Sequence, residues 1–130
     1  MTAMSEITTE QIESLCSAIR SGSDLDTSCH FAGISNQLVY RWLEFGKLES
    51  ERINAGEKPI KAEAKYLAFW DDLKKARADA VVRNVAFIQK AAQEGNWQAA
   101  AWWLERAVPE HYGKNQIAKP KATDNKQIEG

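Results

Sequence analysis

The stretch DLDTSCHFAGISNQLVYRWLEFGK, Asp24 to Lys47, constrains the fold more than any other part of the chain. Two short helical patterns flank the break Gly33-Ile34-Ser35. Helices that cross steeply need small residues at the crossing, here Cys29 and Ala32, and a tight turn, here Gly33. The first pattern runs from about Leu25 to Ala32. The second runs from about Asn36 to Phe45, with Ser35 as its cap, Val39, Trp42 and Leu43 inward, and Gly46 as its stop. A preceding helix braces the pair. Thr8 and Gln11 form a capping box, Ile7 staples onto Ile12, and Ile12, Leu15, Cys16 and Ile19 share one face before Gly22. Together these predict a tri-helical helix-turn-helix over residues 1–47.

Downstream, residues 48–60 are polar and carry Asn54, Gly56 and Pro59, which predicts a mobile connector with room for a last turn of helix at its start. A long helix is expected from about Lys61 to Glu94, broken at Gly95. Asn96 caps a last helix from Trp97 to Val108, ended by Pro109. So short a turn predicts an antiparallel hairpin over residues 61–112. The tail, residues 113–130, is rich in Lys, Asn and Gln without periodicity and is expected to be disordered. The fold class is therefore all-α: a tri-helical head, a long-helix antiparallel hairpin and a disordered tail.

The net charge is -1, but it is unevenly spread. Residues 1–35 carry one Lys/Arg against five Asp/Glu, whereas residues 58–90 carry eight against four. A monomer so weakly charged neutralises few phosphates, so repetition in an oligomer would have to supply affinity for nucleic acid. No apolar run reaches bilayer length and no signal-peptide pattern opens the chain, so no membrane partner is expected. Cys16 and Cys29 sit in helical patterns, which favours a reducing cytoplasm over a disulfide framework. Gly46-Lys47 lacks the earlier glycine of a P-loop. His30 and His111 have no partners at ligand spacing, and Asp71-Asp72 reads as a solvated helix face. The chain is expected to be no enzyme and to hold neither metal nor cofactor.

With Val39, Trp42 and Leu43 facing in, the second helix of the motif presents Asn36, Gln37, Tyr40, Arg41 and Glu44 outward. Asn and Gln pair bidentately with adenine, Arg pairs with guanine or phosphate, and Ser35 at a helix N-terminus suits a phosphate. Ser35, Asn36, Gln37, Tyr40 and Arg41 are the candidate contacts to double-stranded DNA. Glu44 restricts any insertion to the start of the helix.

The C-terminal hairpin is loaded with aromatic area. Adjacent Trp102 and Trp103 cannot face the same way, and the apolar stripe of the long helix is wider than one packed face requires. Tyr66, Phe69, Trp70, Leu73, Val81, Val85, Phe87, Ile88, Trp102 and Trp103 are expected to build an interface between copies. The alternative is that the surplus packs against the chain's own N-terminal helices.

The ordered combination of VYRWLEFGK, FWDDLKKARADA and AAAWWLERAVPEHYGK resembles the small terminase subunits of tailed bacteriophages and prophages. The resemblance covers about Leu25 to Lys114. Its most telling pieces are YRWL, KARADA (Lys75 to Ala80) and WLER-x-x-P-E-x-Y-G (Trp103 to Gly113). It implies a non-enzymatic DNA-recognition component of a genome-packaging motor in a bacterial host cytoplasm. Such proteins form rings of roughly eight to ten subunits. They engage packaging-initiation DNA through outward helix-turn-helices and pass it to a large subunit holding the ATPase and nuclease. By position, Asn36, Gln37, Tyr40 and Arg41 would contact DNA, Tyr66 to Ala92 and Trp97 to Val108 would build the ring, and the tail after Gly113 would meet the large subunit. The short tail departs from relatives that carry a β-barrel crown.

Two other readings fit the same residues. A dimeric transcriptional regulator or transposon-associated protein would use the motif on two half-sites about one helical turn apart. An interaction module that never touches DNA would account for the net charge and for Glu44.

Overall fold

Four of the helices start where a side chain is placed to cap them. In the computed structural model, which describes residues 6–114, Thr8 accepts from the Gln11 amide at 3.0 Å while the Gln11 side chain accepts from the Thr8 amide at 3.0 Å. The capping box thus opens α1, Thr9–Arg20. Asp24 accepts from Thr27 N–H at 3.0 Å and opens α2, Leu25–Ala32. Ser35 accepts from Leu38 N–H at 3.3 Å and opens α3, Asn36–Asn54. A single 3-10 turn, Lys61–Glu63, leads into α4, Ala64–Gln93. Asn96 accepts from Ala99 N–H at 3.2 Å and opens α5, Trp97–Ala107, and the short α6, Pro109–Tyr112, follows. The described residues are thus all-helical, and none of their helices is long and apolar enough to cross a membrane.

One boundary corrects the sequence reading. The helix expected to stop at Gly46 runs on to Asn54. Gly46 is buried, and a Cβ built on it would fall 2.6 Å from Trp70 Cβ and closer still to the Tyr66 carbonyl oxygen. The glycine lets α3 and α4 touch backbone to backbone; it does not cap a helix end.

The connector shrinks accordingly from residues 48–60 to 55–60 and is tied down. Glu49, only 2% exposed, accepts from Ile60 N–H at 2.7 Å and pairs with Arg52 Nε at 3.3 Å. Arg52 also donates to Glu57 Oε1 at 2.9 Å and to the Lys58 carbonyl at 2.8 Å. The expected mobile linker is a loop clamped onto the last turns of α3, because a buried carboxylate and a forked guanidinium together satisfy its backbone groups.

The chain divides into two compact units, Met1–Val82 and Arg83–Gly130. In the first, one core joins α1 (Leu15, Cys16, Ile19), α2 (Cys29), α3 (Val39, Trp42) and the first half of α4 (Phe69, Leu73, Ala76). Trp42 is its hub, with Tyr66 edge-on at 5.0 Å and Phe69 edge-on at 5.5 Å between ring centroids. Edge-to-face pairs of this kind add about 0.5–1.5 kcal/mol each beyond the area they bury.

The second unit is of a different character. Among the described residues from 83 onward only Gly113 is buried. Phe87 is 60%, Trp97 73% and Trp102 45% exposed. Arg106 covers part of this area by stacking its guanidinium 4.2 Å from the Trp102 ring centroid. The expected disordered tail lies, after Lys114, outside the described residues.

Candidate nucleic-acid interface

The junction between α2 and α3 is set by backbone geometry. Gly33 ends α2 in the left-handed region (φ 73°), where a side chain would be strained although space for one exists. Ile34 N–H then closes back on the Cys29 carbonyl at 3.0 Å, and Ile34 itself is buried. Cys29 and Ser28, both fully buried, let α2 sit close to its neighbours, and the Ser28 hydroxyl is satisfied by the Asp24 carbonyl at 2.7 Å. The Gln11 side-chain amide donates to the Gly33 carbonyl at 3.3 Å, so α1 also holds the turn. Sequence reasoning assigned Gln11 to the capping box alone; this second bond spans 22 residues and leaves no local trace.

Beyond the turn, Ser35, Asn36, Gln37, Tyr40 and Arg41 are all exposed over the first turns of α3, opposite buried Val39 and Trp42. The four amide N–H groups at this helix start carry the partial positive charge of its dipole, and Ser35 takes up one of them. Arg41 makes no ion pair among the described residues. Tyr40 differs from the expectation of a free contact: its hydroxyl donates to Asp26 Oδ1 on α2 at 2.6 Å, while its ring stays half exposed. That bond to a carboxylate pushes the phenol pKa up. Asp24 is held below the usual carboxylate range by the Thr27 N–H it accepts. Asp24, Asp26 and Glu44 set three carboxylates against Arg41 and Lys47 in this part of the head, so the face is mixed in sign rather than basic.

Phe31, 70% exposed at the end of α2, was not anticipated; it falls off the face shared by Leu25, Ser28, Cys29 and Ala32, and that displacement was the available signal. The free cysteines, Cys16 and Cys29, are buried, and burial pushes both thiols up in pKa, which suits packing rather than chemistry. Among the described residues no group of three or more His, Cys, Asp or Glu side chains could hold a metal ion.

The residues expected at an interface between copies are divided by the structure. Phe69 and Leu73 are buried in the core of the Met1–Val82 unit, with Tyr66 packed against it, so for these three the alternative of packing on the chain's own N-terminal helices holds. A helix face that already covers α1 and α3 has no area left for a second copy. Trp70 is half-buried beside them. Val81, Phe87 and Trp102 are exposed, and Val85, Ile88 and Trp103 are half-buried.

Comparison with protein-family models, with curated proteins and with solved structures finds no match to this chain.

Proposed function

We propose that the chain is a DNA-recognition protein that works as an oligomer, the small terminase subunit of a viral genome-packaging system. In this reading α1–α3 form the helix-turn-helix, Asn36, Gln37 and Arg41 reach base edges and phosphates, and Ser35 with the α3 N-terminus receives a phosphate. Tyr40 acts as a strut, since its hydroxyl already serves Asp26. The segments Arg83–Gln93 and Trp97–Ala107 form the hairpin through which copies associate and, by the family resemblance, close a ring. The tail that would meet the large subunit lies, after Lys114, outside the described residues.

The observation that carries the reading is the start of α3. An uncovered helix N-terminus, bearing exposed Asn36, Gln37 and Arg41, is braced from behind by two helices and a hydrogen-bonded turn. Self-association is supported by the second unit, where aromatic side chains stand exposed and, among the described residues, only Gly113 is buried. Repetition then compensates for the weak charge of each head, because linked sites gain avidity without new contacts.

Two measurements test this. Arg41→Ala should weaken duplex binding by about 1–3 kcal/mol per head, roughly five- to 150-fold, read by fluorescence anisotropy at fixed salt. Unchanged affinity would remove α3 from the interface. The native mass, by light scattering after size exclusion, should correspond to a closed ring of roughly eight or more subunits. A dimer stable to dilution would transfer the same head to a two-half-site regulator.

A further inference from the structure

Within the Met1–Val82 unit an open groove of about 410 Å³ is left between helices, in the size range of sites that take a ligand or several side chains. Ile19, Leu25, Leu43 and Leu73 give it apolar walls. Trp70 lines it as well, and its buried indole N–H has no acceptor among the described residues. Buried donors left unpaired cost about 1–3 kcal/mol and are uncommon in folded proteins. Ser23, Ala78 and two cations, Lys74 and Arg77, complete the lining; both cations are exposed and neither forms an ion pair among the described residues. The Lys74 ammonium lies 5.4 Å from the Trp70 ring centroid, so that charge stays beside the groove.

The apolar walls and the two cations specify an occupant that carries apolar bulk and negative charge on one body. Phosphate alone would leave the apolar walls wet, and an uncharged alkyl group would leave both cations unanswered. The other flank of α4 has the opposite character. There Glu13, Asp71, Asp72 and Asp79 share a second groove with Arg20 and Lys75, and Asp79 is already paired with both cations at 3.7 and 3.0 Å. Carboxylates thus gather on one flank of the helix, and the apolar groove lies on the side where the cations form no ion pair among the described residues.

We propose that this groove is a docking site for an acidic amphipathic helix of a partner protein, whose apolar side chains fill it while neighbouring carboxylates meet Lys74 and Arg77. None of the lining residues is among the proposed DNA contacts, so Ala78→Trp, which alters no charge, should leave duplex binding unchanged.

The test uses the full chain and a fluorescein-labelled helical peptide with Leu and Phe at i, i+3, i+4 and i+7 and Glu elsewhere. Its counterpart carries Lys for every Glu. The acidic peptide should bind, and the Trp70 indole ¹⁵N–¹H resonance should move on binding. Lys74→Glu with Arg77→Glu should weaken binding at least tenfold, and Ala78→Trp, which fills the groove from an exposed position, should abolish it. Circular dichroism checks that both variants fold. Absence of binding, equal binding of the Lys counterpart, or indifference to either variant would overturn the proposal. So would displacement of the peptide by duplex DNA in the Arg41→Ala background, which would make the two cations phosphate contacts. A Trp70 shift with octanoate but not with the peptide would assign the groove to small amphiphiles and overturn it equally.

Discussion

Replacing Gly46 by Ala tests the closest approach in the fold, because two known effects oppose each other there. In an exposed helix interior the change is stabilising by about 0.8–1.0 kcal/mol, since alanine loses less backbone entropy. At Gly46 the new methyl would lie 2.6 Å from Trp70 Cβ and press on the Tyr66 carbonyl, neither of which is the free end of a flexible side chain. Carbon atoms in contact rest at about 3.5–4.0 Å, so α3 and α4 must part by roughly 1 Å locally. That separation falls where Trp42 meets Tyr66 and Phe69, and forced overpacking costs about 1–3 kcal/mol before any loss from these ring pairs. The expected net is a destabilisation of about 1–3 kcal/mol. Urea unfolding followed by circular dichroism should show a lower midpoint at unchanged slope. Thermal unfolding should shift down by about 4–8 °C per kcal/mol for a unit of this size. A midpoint equal to or above that of the parent protein would refute the reasoning, since it would mean that Gly46 sits in open space or that α4 yields at no cost.

Glu49→Ala should cost about 1.5–3 kcal/mol, because it strips the acceptor from Ile60 N–H and a partner from Arg52, while Glu49→Gln should lose less; denaturant titration of both variants compares them. Hydrogen exchange at the Ile60 amide should rise in the Ala variant, and an unchanged rate would contradict the clamp. For Tyr40 the folded pKa lies above the ordinary value of 10.0, so its contribution is fully present below pH 10 and is lost as pH rises through the raised value. Tyrosinate absorbance should therefore contain one late-titrating phenol that disappears in Tyr40→Phe, and that advances to the ordinary range in Asp26→Asn.

What could be read from the sequence was what neighbouring residues decide among themselves. The Thr8–Gln11 box, the Asn96 cap and the break at Gly33 are all settled within a few residues, and they stand where the pattern put them. Gly46 failed because a glycine that ends a helix and a glycine that admits a neighbouring helix look identical until the neighbour is known, and that neighbour begins 18 residues later at Ala64. The wide stripe of α4 was legible as a demand for two partners, but nothing local says which flank the chain satisfies itself; Phe69 and Leu73 turn inward only because α1 and α3 are there to meet them. In the candidate site, the outward set from Asn36 to Arg41 followed from the burial of Val39 and Trp42. The Tyr40–Asp26 bond did not, since it joins residues 14 apart that only the crossing of α2 and α3 brings together.

Gln11 presents both polarities of one amide to two different parts of the chain: its oxygen takes the Thr8 N–H and its nitrogen serves the Gly33 carbonyl. No charged side chain of similar length can do both. Glutamate would keep the first bond and set a negative charge against the carbonyl, while lysine would keep the second and leave the helix start unsealed. The opening of α1 and the hinge that aims α3 are thus committed to each other through a single planar group. Because the acceptor is a main-chain carbonyl, which any residue at 33 would offer, the constraint falls on position 11.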